Sequence, residues 1–291
     1  MKKIFSIVLV VSMLAGAAVF AASCNSTPTP PASPSNTAPA SPPPSAPASP
    51  SAKAKLVCGV TEYEPMNFRD PSGKWVGFDT EFAQLVGEKL GMDVEFQLID
   101  WGNKFIELDS GAIDAIWNGF TATASEADGT PRINLCDMSY SYMLNTQCLV
   151  VRSERAGEFK SEADVAGKTV AAEAGSAGES AAADLIGDKG KVIGVAAQIN
   201  TFMEVKSRAV DGAVIDVILA RQLTGTGDYA DLTIAFELDP EVYAIGFKKG
   251  SALRDKVNQA MKELYDAGTL LELAKKYEVD ANLELDFNYG K

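Results

Sequence analysis

The sequence contains no histidine among its 291 residues. That removes Ser-His-Asp hydrolysis, Cys-His proteolysis and histidine-ligated metal sites together, because each needs an imidazole that titrates or ligates near neutral pH. Cysteine is scarce as well. After Cys24 come only Cys58, Cys136 and Cys148, an odd number with no C-x-x-C spacing, so neither zinc nor a dithiol redox pair is suggested. They read as three buried small hydrophobes or as one disulfide with a free thiol. Basic residues are outnumbered, 26 Lys+Arg against 39 Asp+Glu, for a formal charge of -13. Nucleic acid and anionic membrane faces both call for basic patches, so neither is expected as a partner. No cofactor is implied.

The one long apolar run sits at the N-terminus. Lys2 and Lys3 precede an almost uncharged stretch from Ile4 to Phe20, followed by Ala21-Ala22-Ser23 and Cys24. Residues 1–23 read as a secretory signal, since small residues suited to a peptidase close the run where a permanent span would have polar flanks. Ala-Ala-Ser before Cys24 resembles a bacterial lipobox, which makes Cys24 the expected acylation site and new N-terminus; the alternative is cleavage near Ala21 with Cys24 incidental. From Asn25 to about Ala52 the chain is almost all Pro, Ser, Thr and Ala, which cannot build a core. Residues 24–54 are thus expected to be a linker, extended at ~3.1 Å per residue where proline-rich, holding a domain off a surface.

Beyond Lys53, apolar runs alternate with amphipathic stretches. Leu56–Val60, Val94–Leu98 and Ile113–Trp117 read as strands, with a helix from about Asp79 to Leu90 closed by Gly91 and another carrying Trp101, Phe105 and Leu108 on one face up to Gly111. The rhythm returns with strands at Lys168–Ala172, Val192–Val195 and Ala213–Asp216 around helices ending near Ile186 and spanning Phe202–Val210. A strand at Tyr243–Phe247 and helices near Leu253–Ala267 and Thr269–Tyr277 follow, the last with a capping box between Thr269 and Glu272. The expected class is α/β: two similar lobes, each a parallel-type sheet flanked by helices. Ligands would then meet the carboxyl ends of the strands.

Gly77-Phe78-Asp79-Thr80-Glu81-Phe82-Ala83-Gln84-Leu85-Val86 closely resembles the signature of the bacterial family 3 extracellular solute-binding proteins, the polar amino-acid group. Ser110–Ile116, Gln147–Val151, Gly167–Val170 and Gly246–Tyr277 resemble further family segments in the family's order. Several ordered motifs are much harder to obtain by chance than one. The resemblance implies the type II periplasmic-binding-protein fold. Lobe 1 would be residues 55–145 with 242–291 and lobe 2 residues 146–241, joined by a two-strand hinge that closes on ligand. It further implies a monomer, exported or held at the outer face of the cytoplasmic membrane, that delivers an amino acid to an ABC permease.

An α-amino acid offers a carboxylate, an ammonium and a side chain, so its site wants a forked cation, an anion and an apolar or aromatic wall. In the family an arginine grips the carboxylate just after a T-x-T loop. Here Ala124, Ser125 and Glu126 follow Thr121-Ala122-Thr123, and counting back from Met138-Ser139 puts the arginine at Arg132, after an insertion. Asp216 matches the family's ammonium acceptor; the bland reading is a helix N-cap. Tyr63 and Trp101 match the rings that sandwich the ligand. Asn118, Gly119 and Thr121, with Gly175 and Ser176, would supply backbone amides and hydroxyls. Glu173 stands where an uncharged residue is common: it could favour a cationic ligand side chain, cap the next helix, or act as general acid or base in a dehydratase-like enzyme on the same scaffold. The absence of histidine makes binding without chemistry the principal reading.

Overall fold

The computed structural model describes residues 53–290. The secretory run, Cys24 and nearly all of the proline-rich linker lie outside the described residues.

β1 (Lys55–Val60) is flanked by parallel partners on both sides, and that central position accounts for its unbroken run of apolar and small residues. A short hairpin follows, β2 (Phe68–Arg69) and β3 (Trp75–Val76), turned by Asp70, whose carboxylate accepts from the Ser72 and Lys74 amides at 2.8 and 3.0 Å. Next come α1 (Phe78–Leu90), β4 (Asp93–Leu98), a 3-10 turn at Trp101–Asn103 that runs into α2 (Lys104–Ser110), β5 (Ala115–Ile116) and β6 (Asp137–Met138). α1 and α2 both stop at a left-handed glycine, Gly91 and Gly111, a conformation that costs glycine least. The chain then enters the twelve-residue β7 (Ser141–Arg152). β8 (Thr169–Glu173), α3 (Ala177–Ile186), β9 (Lys191–Val195), α4 (Gln198–Lys206), β10 (Gly212–Asp216) and α5 (Val217–Leu223) lead to a second twelve-residue strand, β11 (Leu232–Tyr243). β12 (Gly246–Phe247), α6 (Ala252–Asp266), α7 (Thr269–Lys276) and β13 (Leu283–Asp286) complete the chain.

Two sheets result, ordered β4-β1-β5-β12-β6 and β11-β7-β10-β8-β9, with β13 also paired to β7. Each has a parallel nucleus. In the first, β12 runs antiparallel to both β5 and β6; in the second, β7 runs antiparallel to β10 and β11, so both sheets are mixed. The pairing of β7 with β11 extends from Arg152 opposite Leu232 to Met143 opposite Tyr243. At that far end Thr121 bridges to Tyr243 and Ala244 N–H donates to the Phe120 carbonyl at 3.0 Å, so the strand pair feeds directly into the first sheet's loop. On the first sheet α1 packs against α6 and α7, burying Phe78, Phe82 and Val86. Phe82 meets Trp117 edge-on at 5.1 Å, a geometry that adds to area burial of about 1.5–3 kcal/mol per large apolar side chain.

Three sequence expectations change, the first being the helix expected at Phe202–Val210, which is α4, starting at Gln198 and ending at Lys206. The strand at Tyr243–Phe247 is two strands, one in each sheet, because the chain changes sheets at Ala244 and Ile245. The Thr269–Glu272 capping box does not form: Gly268, at φ 75°, ends α6 and is itself the N-cap of α7, which puts Thr269 inside the helix. A reciprocal box forms instead between Ser161 and Asp164. Cys58, Cys136 and Cys148 are buried free thiols. Among the described residues no helix is long and apolar enough to cross a membrane.

Candidate functional site

The loop after β5 is tied down before it reaches any ligand. Asn118 accepts from the Thr61 amide (3.0 Å) and hydroxyl (2.8 Å) and donates to the Thr61 carbonyl and Asn67, so its side chain is fully used in joining two strand ends. Gly119 N–H donates to Asp79 Oδ2 at 2.7 Å, the same oxygen that accepts from the Tyr142 hydroxyl. A Cβ on Gly119, whose φ is +55°, would lie 2.5 Å from the Tyr63 ring.

The insertion after Thr123 folds back on itself. Glu126 N–H donates to the Thr130 carbonyl, Gly129 N–H to the Glu126 carbonyl and Arg132 N–H to the Ala124 carbonyl, so residues 126–130 leave and re-enter at nearly the same point. Arg132 is thereby returned to the loop, where its Nη1 donates to the Thr121 carbonyl at 3.0 Å. Its Nε pairs with Glu126 Oε1 at 2.8 Å, its Nη2 donates to the Gly175 carbonyl at 3.1 Å, and its fork lies 5.0 Å from the Phe120 ring centre. Lys104, fully buried, binds Glu126 Oε2 and the Gly175 carbonyl, each at 2.9 Å. Burial and the neighbouring Arg132 charge lower its pKa to about 8.

Opposite stands Asp216, the last residue of β10. It occupies the N-cap position of α5 but its side chain makes no capping bond. Instead the carboxylate accepts from the amide groups of Asn145, Gln147 (2.7 Å) and Gln198. Amides donate without neutralising, so the charge is solvated but uncompensated, and burial holds the Asp216 pKa above the usual carboxylate range. The Asn145 and Gln147 amides also reach Glu241 at 2.6 and 2.9 Å, and Thr121 donates to it at 2.9 Å. Burial and nearby Asp216 raise Glu241 to about 7. Glu173, at the end of β8, is raised to about 8 by burial and by Asp216, and its Oε1 is buried without a hydrogen-bond partner. It does not cap α3; Ser176 does, accepting from Glu179 N–H at 3.0 Å.

Trp101, Asn118, Gly119, Thr121, Arg132, Glu173, Ser176, Ala177, Gln198 and Asp216 line one narrow cavity of about 10 Å³, room for roughly one water. Tyr63 and Gly175 stand just outside it. The Tyr63 ring backs Gly119, with its hydroxyl 2.7 Å from that of Tyr243. Gly175 presents its carbonyl to both cations, while its amide donates to Glu179 at 2.7 Å. Trp101 is both wall and core, packed on Phe120 at 6.1 Å. Sequence reasoning missed Lys104, Asn145, Gln147, Gln198 and Glu241. Asn145 and Gln147 did carry a signal: polar residues two apart in an otherwise apolar strand share one face.

The sequence model of the bacterial extracellular solute-binding proteins, family 3, matches residues 56–280. The arginine-binding extracellular protein ArtP of Bacillus subtilis is 30% identical over 231 residues, covering 78% of this chain and 87% of that protein. A solved ancestral arginine-binding protein bound to arginine superposes with a TM-score of 0.71 at 31% identity, over 78% of this chain and 99% of that one. An ancestral amino acid-binding protein described as a precursor of cyclohexadienyl dehydratase superposes at 0.68 and 28%, over 77% of this chain and 95% of that one. The two sheets joined through the β7–β11 pair are therefore the two lobes of a type II periplasmic-binding-protein fold, and the chain belongs to the bacterial extracellular solute-binding proteins, family 3.

Proposed function

We propose that this protein captures a free amino acid between its lobes and delivers it to an ABC importer. The observation that carries the reading is the pairing of Arg132 and Asp216 across one small cavity, a forked cation on the first-sheet side and an uncompensated carboxylate on the second. A ligand carboxylate would take the arginine's remaining N–H donors, and a ligand ammonium would supply the cation that three amide groups do not. Tyr63 and Gly175 shape this site from behind, and Trp101, Asn118, Gly119, Thr121 and Ser176 line it. Lobe 1 is assigned to residues 55–145 and 242–291 and lobe 2 to 146–241, with β7 and β11 as the hinge.

The protein is taken to act as a monomer tethered outside the cytoplasmic membrane through acylated Cys24 and its proline-rich stalk. A dehydratase-like reaction is the second reading, favoured by the proton Glu173 retains near neutral pH. Titration calorimetry with the common amino acids, beside a turnover assay on cyclohexadienyl acids, separates the two. Stoichiometric binding without turnover supports the carrier, and turnover lost in Glu173→Gln supports the enzyme.

A further inference from the structure

We infer that Glu173 selects the solute by the charge of its side chain, so that the captured amino acid is a basic one. This rests on the reading of the cavity as an amino-acid site. The cavity's charged lining is Arg132, Glu173 and Asp216. A zwitterion that sets its carboxylate on Arg132 and its ammonium beside Asp216 leaves Glu173 over.

Among the described residues no cationic side chain forms an ion pair with that carboxyl. Glu173 is 3% exposed, and Oε1 has no hydrogen-bond partner. Thr61 is the hydrogen-bonding neighbour of the carboxyl. The two basic side chains nearby are spoken for: Lys104 and Arg132 divide the two Glu126 oxygens between them, and both also donate to the Gly175 carbonyl. A buried ionised carboxyl without a partner is costly, so the group holds its proton until a cation arrives. A guanidinium or ammonium at the end of the ligand side chain supplies that cation and closes the charge balance.

A second observation points the same way. Ala177 at the start of α3 lines both this cavity and an adjoining open groove, whose ionisable lining is wholly acidic: Glu126, Glu162, Glu179, Asp184, Asp239 and Glu241. A one-sign wall of this kind raises the local concentration of cations and repels anions on the approach.

The test is titration calorimetry of the full chain with arginine, lysine and ornithine against citrulline, glutamine and glutamate. Arginine and citrulline have nearly the same shape and differ in side-chain charge, so their ratio isolates the Glu173 effect. Arginine or lysine is expected to bind at least about a hundredfold more tightly than citrulline or glutamine, the loss seen when a buried charge is left unpaired. Glu173→Gln should bring the basic ligand down towards citrulline, with its melting temperature confirming the fold. Wild-type protein that binds citrulline or glutamine as tightly as arginine overturns the inference whatever the variant does, and leaves the amino-acid reading standing. Failure to bind any amino acid, or tight binding that survives Arg132→Ala, overturns the underlying reading instead.

Discussion

Gly175 and Gly102 meet backbone to backbone: a Cβ built on Gly175 would sit 2.7 Å from the Gly102 Cα. Gly175 follows β8 of the second sheet and Gly102 follows β4 of the first, so this contact measures how closely the lobes approach. Gly175 is also at φ +73°, which costs a residue with a side chain about 1–2 kcal/mol. Gly175→Ala should therefore prop the lobes apart, weakening ligand binding about tenfold or more at roughly 1.4 kcal/mol per tenfold. Small-angle scattering should show a smaller contraction on ligand addition than in wild type. Unchanged affinity and contraction would mean that the contact is not needed for closure.

Arg132 and Asp216 call for separate substitutions. Removing one member of a buried charge pair typically costs about 3–5 kcal/mol, or roughly two to three and a half powers of ten in affinity. Arg132→Ala and Asp216→Asn should each fall in that range by calorimetry. Arg132→Lys should rescue only part of the loss, since an ammonium cannot reproduce the arginine's fork over Thr121, Glu126 and Gly175. Arg132→Ala that binds within a factor of a few of wild type would move the carboxylate anchor elsewhere.

The anchor prediction concerns Cys24. Cys24→Ala should release the protein from membranes or leave its precursor uncleaved, as read by fractionation and the mass of the N-terminal peptide. Stable retention is expected to need more than one acyl chain, because a single chain binds only marginally. Equal membrane association of the variant removes the lipoprotein reading.

How far the sequence could be read depended on whether a residue's role was local. β1, α1 with Gly91, and α2 with Gly111 follow from apolar spacing and glycine stops that act within a few residues. β11 was hidden because it is an edge strand, with irregularities near Ile234 and Glu237 and with Pro240 in its length; an edge strand tolerates proline and needs no apolar alternation on both faces. Counting back from Met138-Ser139 proposes Arg132 for the carboxylate position, whereas the hairpin that returns Arg132 to the loop appears only in the bonds of Glu126 and Gly129. Lys104 was invisible for a different reason. A lysine in a short helix ordinarily points to solvent, and only Glu126 and the Gly175 carbonyl, 22 and 71 residues away, make its burial tolerable.

The buried acids should make stability fall as pH rises through neutrality. Glu173 is raised to about 8, Glu241 and Asp79 to about 7, chiefly by burial, and Asp216 is raised as well. Their unfolded values are roughly 4. Between about pH 5 and 7 the folded state thus holds more protons than the unfolded chain, so stability falls as pH rises, by up to about 1.4 kcal/mol per pH unit for each group. Lys104, lowered to about 8, acts in the opposite sense only above that window. Carboxylates held low by surface partners, Glu81 and Asp211 among them, remove stability only at more acidic pH. The ligand-free protein should therefore melt higher at pH 5.5 than at pH 8, with a flatter profile in Glu173→Gln. Binding of a basic amino acid should run the other way, tightening from pH 6 to 8 as Glu173 gives up its proton to pair, with proton release measurable in buffers of different ionisation enthalpy. A melting temperature that climbs from pH 5.5 to 8 would show that these carboxyls are already ionised in the free protein, and the proton-linked account of the cleft would fail.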